Sequence, residues 1–238
     1  MKRKRLDDVL ITNGHAGDKN EAFIIVTEGR VFVNGQRAVS PAQMVREDDK
    51  IEVKGGREYV GRGAYKLDSA LAKFDIDVHD KVCADIGSAT GGFVEVLLKR
   101  GAAKVYAVDT ARGKLDIKLR EDKKVVVMEG TDVRGIESFP ESIDFVSGDV
   151  SLISLKNILP HIKRLAPKSE VVVLFKPQYE ARDPSILKHG VIKDDAAREA
   201  LLKDFQDWLK ENAWEIKGLS ESPIRGSEGN VEYLFYLK

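Results

Sequence analysis

Two lysines and two carboxylates, spread from one end of the chain to the other, are the residues best suited to chemistry. Lys66 precedes an apolar strand, Asp149 follows another, Lys176 ends a third and stands before Pro177, and Glu232 begins the last. A lysine at the end of an apolar strand is open to desolvation, which disfavours its charged form, while a neighbouring carboxylate orients it. Such an amine orients a hydroxyl or takes its proton, help that an alcohol needs because its own pKa lies far above neutrality. Taken singly, each of the four reads as an ordinary solvated side chain. Lys176 departs furthest from that reading, with Val171-Val172-Val173-Leu174-Phe175 before it and a proline after it.

A second group of residues reads as a ligand turn. Asp85-Ile86-Gly87-Ser88-Ala89-Thr90-Gly91-Gly92-Phe93 follows an apolar strand and opens a helix. Gly87, Gly91 and Gly92 permit a tight turn and a close approach of the backbone, with Asp85, Ser88 and Phe93 beside them. The spacing is not G-x-G-x-x-G, so the dinucleotide fingerprint is absent, and a purely structural turn is the plain alternative. Asp109 ends the next strand about 20 residues on, where an acid accepts from both hydroxyls of a ribose. Asp132 ends the strand after that, within reach of an adenine amino group. Acids at the carboxyl ends of successive parallel strands sit where such sheets bind ligands. A nucleoside-bearing cofactor without a demanding pyrophosphate satisfies the pattern, and S-adenosylmethionine is such a molecule. The histidines (His15, His79, His161 and His189) are scattered without metal-ligand spacing, and no metal is expected.

The elements that must position these residues fall into two units. In the first 55 residues, Leu6, Val9 and Leu10 mark a short helix ended by Asn13-Gly14. Asp18 and Glu21 form a capping box for a second helix, which Gly29 terminates. Arg30–Val33 alternates like a strand, Asn34-Gly35 signals a hairpin, and Ile51–Lys54 is another strand. A link over 56–62 follows. From residue 63 onward, apolar strands at 82–86, 105–108, 125–128, 143–146 and 171–175 alternate with helices at 92–99, 114–119 and 152–165. That alternation predicts a parallel sheet covered on both faces. An amphipathic helix over 194–212, with Ala197, Leu201, Phe205 and Trp208 on its core stripe, precedes a last strand at 231–237.

Composition narrows the class. Lys plus Arg and Asp plus Glu number 39 each in 238 residues, so no global positive field draws the protein onto a polyanion. Local patches must do so, and Lys2-Arg3-Lys4-Arg5 is one, although four like charges at a terminus read first as a solvated, frayed end. Cys83, the single cysteine, excludes an internal disulfide, and its apolar neighbours make it a buried small hydrophobe before a nucleophile. The basic start runs into Asp7 and Asp8, unlike a secretory signal, and no aliphatic run approaches the ~20 residues of a membrane span. A cytoplasmic protein without membrane association is expected.

With these segments in place, the chain resembles the TlyA family of ribosomal RNA methyltransferases, some labelled hemolysins, whose catalytic domain is of the FtsJ type. The resemblance covers the whole chain. It lies in the turn Asp85–Phe93, in Gly61-Arg62-Gly63-Ala64-Tyr65-Lys66-Leu67 and in Asp149-Val150-Ser151-Leu152-Ile153-Ser154-Leu155. It lies also in Lys176-Pro177-Gln178-Tyr179-Glu180 and in Gly229-Asn230-Val231-Glu232-Tyr233. The resemblance implies a tetrad of Lys66, Asp149, Lys176 and Glu232. Lys176 would accept the proton or orient the hydroxyl, Lys66 and Glu232 would hold the ribose, and Asp149 would support Lys176. It implies S-adenosylmethionine as cofactor and a ribose 2′-hydroxyl of ribosomal RNA, on assembled or partly assembled subunits, as acceptor. The implied fold is α/β: a doubly wound Rossmann-like methyltransferase sheet with an antiparallel last strand over 63–238. Residues 1–55 would be a small α+β RNA-binding module like that named after ribosomal protein S-four. There Lys2, Arg3, Lys4, Arg5, Lys19, Arg30 and Arg37 would position RNA by phosphate contacts. From Leu67 onward acids slightly outnumber Lys plus Arg, so this module is expected to supply most of the RNA affinity.

Three rival readings have distinct requirements. A membrane-lytic protein needs a long apolar or strongly amphipathic exposed segment, and the stripe of the 194–212 helix is short. A catalytically idle RNA-binding or ribosome-assembly factor has no use for an intact tetrad. Methylation of a base amino group calls for an Asn/Asp-Pro-Pro-aromatic pattern, whereas Asp149 is followed by Val-Ser.

Overall fold

The computed structural model describes residues 3–55, 59–181, 183–226 and 228–238, apart from the side chain of Asn20. Lys2 and the link residues Gly56, Arg57 and Glu58 lie outside the described residues. The chain divides into two compact units, Met1–Arg62 and Gly63–Lys238.

The first unit runs β1 (Arg3–Arg5), α1 (Leu6–Thr12), α2 (Lys19–Thr27), β2 (Val31–Val33), β3 (Gln36–Arg37), β4 (Met44–Arg46) and β5 (Ile51–Val53). The Asp18 carboxylate accepts from the Glu21 amide at 2.8 Å and caps α2. Glu21 reaches back to Gly17 N at 2.8 Å, one residue earlier than a capping box requires. Asn34 and Gly35 both have positive φ, 51° and 78°, and join β2 to β3 as a primed turn demands. Leu6, Leu10, Ala22, Ile25, Val31 and Val45 fill the core. The basic start is not frayed: Arg3–Arg5 pairs antiparallel with β4, Arg3 opposite Arg46 and Arg5 opposite Met44. Period-2 hydrophobicity cannot reveal a three-residue strand of charged residues. The ladder to β4 and the insertion of Leu6, fully buried next to it, are what fix it.

The second unit runs α3 (Ala64–Lys73), β6 (Val82–Ile86), α4 (Gly92–Lys99), β7 (Lys104–Asp109), α5 (Ile117–Arg120), β8 (Val125–Glu129), β9 (Phe145–Gly148), α6 (Leu159–Leu165) and β10 (Glu170–Phe175). It continues with α7 (Pro177–Glu180), β11 (Leu187–Lys188), β12 (Val191–Ile192), α8 (Asp195–Glu211), β13 (Ile216–Glu221) and β14 (Tyr233–Leu237). Its sheet has the order β13-β14-β10-β9-β6-β7-β8. The five strands from β10 to β8 are parallel, and β14 lies antiparallel to β10. This is the α/β sheet with an antiparallel last strand that the family resemblance implies. Central β6 has β7 on one side and β9 on the other, so the order reverses at its carboxyl end, which opens a crevice there.

Among the elements of this unit that differ from expectation, three have a plain cause. The helix anticipated over 152–165 is broken: a single 3-10 turn covers Leu155–Asn157 and the α-helix begins only at Leu159. Pro160 explains this, because its ring and missing N–H are tolerated only in a first turn. The helix expected near Lys114 starts at Ile117, and β13 had no sequence signal, since Ile216-Lys-Gly-Leu-Ser-Glu alternates poorly and sits at the sheet edge.

The delay at Lys114 traces to one carboxylate. Glu129, ending β8, accepts from the backbone N–H groups of Gly113 (2.9 Å), Lys114 (2.9 Å) and Leu115 (3.1 Å), and pairs with Arg120 at 2.9 Å. The Leu115 and Gly113 amides first, then Arg120, lower its pKa from an ordinary 4.5 to about 2. A carboxyl depressed on folding stabilises above its unfolded pKa and loses that contribution as pH falls through the folded one. Glu129→Gln should therefore lower the melting temperature at pH 7, with the gap to the parent narrowing between pH 4.5 and about 2. An equal gap at pH 7 and pH 3 in thermal melts would remove the ionised carboxylate from this account.

Candidate active site

All four residues of the expected tetrad meet at the carboxyl ends of β9 and β10 and the start of β14. Strand register dictates most of this. Phe175 on β10 pairs with Tyr233 on β14, so Lys176 and Glu232 stand one step beyond the last pair of adjacent strands. Gly148 on β9 pairs with Val173 on β10, which brings Asp149 and Ser151 alongside. Lys66 arrives on the first turn of α3. Below Lys176, the rings of Phe175, Phe205 and Phe235 pack with centroids 4.7 and 5.8 Å from that of Phe175, and all three are fully buried. That wedge fixes the strand end.

The tetrad is arranged as two ion pairs. Lys66 Nζ donates to Glu232 Oε2 at 2.6 Å, with side chains only 7% and 3% exposed. Lys176 Nζ lies 2.6 Å from Asp149 Oδ1 and donates to Ser151 Oγ at 2.8 Å. Ser151 was not anticipated as a site residue; its only signal was its place two residues after Asp149. Glu180 was missed as well. It accepts from Ser154 Oγ (2.5 Å) and Leu155 N (2.7 Å), clasping the loop after β9 to α7, and burial raises its pKa.

Two adjoining cavities open at the same sheet edge. One, of about 400 Å³, is walled by Ile86, Val108 and Val133 and carries Asp109 and Asp132. The other, of about 210 Å³, is lined by Asp85, Ser88, Gly92, Phe93 and Lys176, among others. Gly87, Ala89, Asp149 and Ser151 border both. At Gly87, φ is +85° and a Cβ would lie 2.5 Å from the Asp149 carbonyl oxygen, so only glycine lets the two loops touch. Gly91, at φ +96°, is the N-cap of α4, and a Cβ there would strike Leu119 at 2.2 Å.

The acids differ in how they are held. Asp109 accepts from Ala89 N and Ala111 N, both at 2.7 Å, leaving further lone pairs on each oxygen. Asp132 pairs with Arg134 at 2.5 Å and accepts from its backbone N–H. Asp85 is fully buried; it accepts from Ser147 Oγ at 2.7 Å, and desolvation raises its pKa to about 7. Its Oδ2 and Ser88 Oγ are buried without a hydrogen-bond partner. Two orphaned polar atoms on the smaller cavity, which adjoins the one carrying Asp109, fit a polar ligand such as S-adenosylmethionine. Cys83 is fully buried and its thiol is pushed up to about 12, so it is no nucleophile.

In the first unit, most of the expected RNA-contacting cations are engaged. Lys4 pairs with Glu47 (3.1 Å), Arg5 with Asp7 (2.7 Å), Lys19 with Asp8 (3.3 Å) and Arg30 with Glu28 (3.0 Å). Arg30 also donates to the carbonyls of Lys54 and Gly55. Arg3 and Arg37 are exposed.

Residues 59–238 match the FtsJ-like methyltransferase family. The 16S/23S rRNA (cytidine-2′-O)-methyltransferase TlyA of Mycobacterium tuberculosis is 38% identical over 242 residues, covering 100% of this chain and 90% of that protein. A structure described as a hemolysin from Streptococcus thermophilus superposes with a TM-score of 0.75 at 36% identity, covering 100% of this chain and 88% of that one. A 51-residue stretch is 41% identical to the small ribosomal subunit protein uS4 of Syntrophomonas wolfei, 21% of this chain and 24% of that protein. Among the described residues no helix is long and apolar enough to cross a membrane.

The buried Lys66–Glu232 pair separates structure from chemistry. Lys66→Met leaves Glu232 as an uncompensated buried charge and should destabilise by about 3–5 kcal/mol. Lys66→Met with Glu232→Leu removes both charges and should recover most of that stability while leaving the protein inactive. Urea unfolding reads both outcomes, and a single variant within about 1 kcal/mol of the parent would mean that the pair is solvated.

Proposed function

This chain belongs to the FtsJ-like methyltransferases and, within them, to the TlyA family, and from that premise we propose that it methylates a ribose 2′-hydroxyl of ribosomal RNA. The observation that carries this reading is Lys176, held by Asp149 at 2.6 Å and Ser151 at 2.8 Å on the wall of the cavity that contains Ser88 and Phe93.

S-adenosylmethionine, when bound, supplies a methyl group already activated on a sulfonium. Asp109 would hold its ribose, Asp132 its adenine end, and the apolar walls Ile86, Val108 and Val133 would exclude water from it. Asp85, Ser88 and Phe93 face the other cavity and suit its amino-acid portion. Lys176 would point the hydroxyl along the line of attack and take or redirect its proton as the C–O bond forms and the methyl carbon–sulfur bond breaks, which leaves a neutral thioether. Asp149 and Ser151 restrict where that ammonium or amine can sit. Lys66 and Glu232 form a rigid polar wall beside it, offering donors and acceptors to the ribose. None of these steps requires a covalent intermediate on the protein. The module at 1–55 would deliver RNA through phosphate contacts, a reading supported by the likeness to a ribosomal protein and by exposed Arg3 and Arg37. Assembled or partly assembled ribosomal subunits are the substrate this arrangement suits.

Lys176→Ala should abolish most methyl transfer to ribosomal subunits while S-adenosylmethionine binds as tightly as before. Lys176→Arg should not rescue it, because a guanidinium keeps its proton. Undiminished turnover by the alanine variant, measured with a tritiated methyl donor, would exclude Lys176 from the mechanism.

Asp109→Ala should weaken cofactor binding by about 1.5–3 kcal/mol, the range for hydrogen bonds to a charged group, and leave RNA affinity nearly unchanged. Calorimetric titration that found equal cofactor affinity would refute its assignment to the ribose.

A further inference from the structure

We propose that the segment 111–118 of the catalytic unit is a second RNA contact, in which Arg112, Lys114 and Lys118 grip backbone phosphates of the strand that presents its hydroxyl to Lys176. The proposal rests on RNA being the methyl acceptor. Four observations carry it.

All three cations are exposed, and among the described residues none is within ion-pair distance of a carboxylate. Lys4, Arg5, Lys19 and Arg30 of the first unit are all paired, and besides exposed Arg3 and Arg37 there, the catalytic unit presents free positive charge of its own.

The backbone that carries them is fixed at several points. Glu129 takes the N–H groups of residues 113, 114 and 115, Asp109 takes that of Ala111, and Thr90 O accepts from Asp116 N at 3.2 Å. Leu115 and Leu119 are buried against the Gly91 turn. The charges therefore stand on a rigid platform, which lowers the ordering cost of a contact.

The platform adjoins the site. Asp109 and Thr110, immediately before it, line the cavity that also carries Asp149 and Ser151. On this proposal the acceptor strand crosses this rim on its way to Lys176.

Cations outnumber acids three to one within 111–118. Glu129 beneath is saturated by three N–H groups and Arg120, and the segment's one acid, Asp116, accepts from the Lys118 amide at 2.9 Å. Ile117 between them is 60% exposed, giving the surface an aliphatic patch for sugar edges. Three cations at fixed spacing on a mixed surface suit a polyanion whose charges repeat along a sugar backbone.

The test uses the full chain carrying Arg112→Gln, Lys114→Gln and Lys118→Gln together, with ribosomal RNA fragments as the probe. Cofactor affinity should stay within about twofold of the parent. RNA affinity near physiological salt should fall at least tenfold, and the slope of log affinity against log salt should shrink by about two, at about 0.7 for each of three lost contacts to a single strand. Lys114→Arg with Lys118→Arg should retain the parental slope. As a control, Lys203→Gln with Lys210→Gln, exposed on α8, should leave it unchanged. An unaltered slope in the triple variant, or an equal loss in the control pair, would overturn the patch alone. A parent that bound no RNA at all would overturn the RNA reading and the patch with it.

Discussion

A lysine and a glutamate separated by 166 positions meet at 2.6 Å in a place almost closed to water. Charges so placed tolerate only each other, because a lone ion there carries a desolvation penalty of several kcal/mol. The Lys66–Glu232 contact therefore binds the first helix of the catalytic unit to the start of its last strand. The antiparallel setting of β14 beside β10 follows the same geometry, since only that direction brings Glu232 to the carboxyl edge next to Lys176. With both ends of the unit fastened at this edge, the loops after β6 and β9 close against each other through Gly87 and the Asp149 carbonyl. The glycine turn after β6 shares one wall with Asp149 and Lys176 in consequence.

Carboxylates around this edge act differently according to their surroundings. Glu129 is saturated with donors, stays ionised to about pH 2 and shapes a loop. Asp85, with a single donor and no solvent, is raised to about 7 and keeps one oxygen without a donor. Glu180, also raised, clasps two loops. Asp109 lies between these extremes, organised by two amides but still able to accept from hydroxyls. The same side-chain chemistry thus separates into scaffold and ligand roles through the number of donors and the access of water.

Positive charge is divided in a similar way. In the first unit, acids tie down Lys4, Arg5, Lys19 and Arg30, so an RNA phosphate must compete with existing pairs at those four, though not at exposed Arg3 and Arg37. The exposed pairs Lys4–Glu47 and Lys19–Asp8 contribute about 0–1 kcal/mol, so a polyanion displaces them readily, whereas the carboxylates of Asp7 and Glu28 are buried. Residues 111–118 present cations with no such competitor among the described residues. Counting acids and bases over the whole unit from Leu67 hides this, because paired charges cancel in the sum and unpaired ones act locally.

By itself the sequence determined what depends on local pattern. Apolar strands alternating with helices specified the parallel sheet, Asn34-Gly35 specified the hairpin, and the glycines after Asp85 specified the turn. The motifs around Lys66, Asp149, Lys176 and Glu232 were legible as a tetrad through their resemblance to a known family. Pairing belonged to tertiary structure, because nothing local tells that Lys66 faces Glu232 while Lys176 faces Asp149. Ser151 and Glu180 gained their roles only when the loops after β9 and β10 were brought side by side. The strand at Arg3–Arg5 and the edge strand β13 exist because a partner strand offers hydrogen bonds, which outweighs their own unfavourable pattern. Partner choice over long sequence separations is set by register and burial, and these are properties of the assembled sheet.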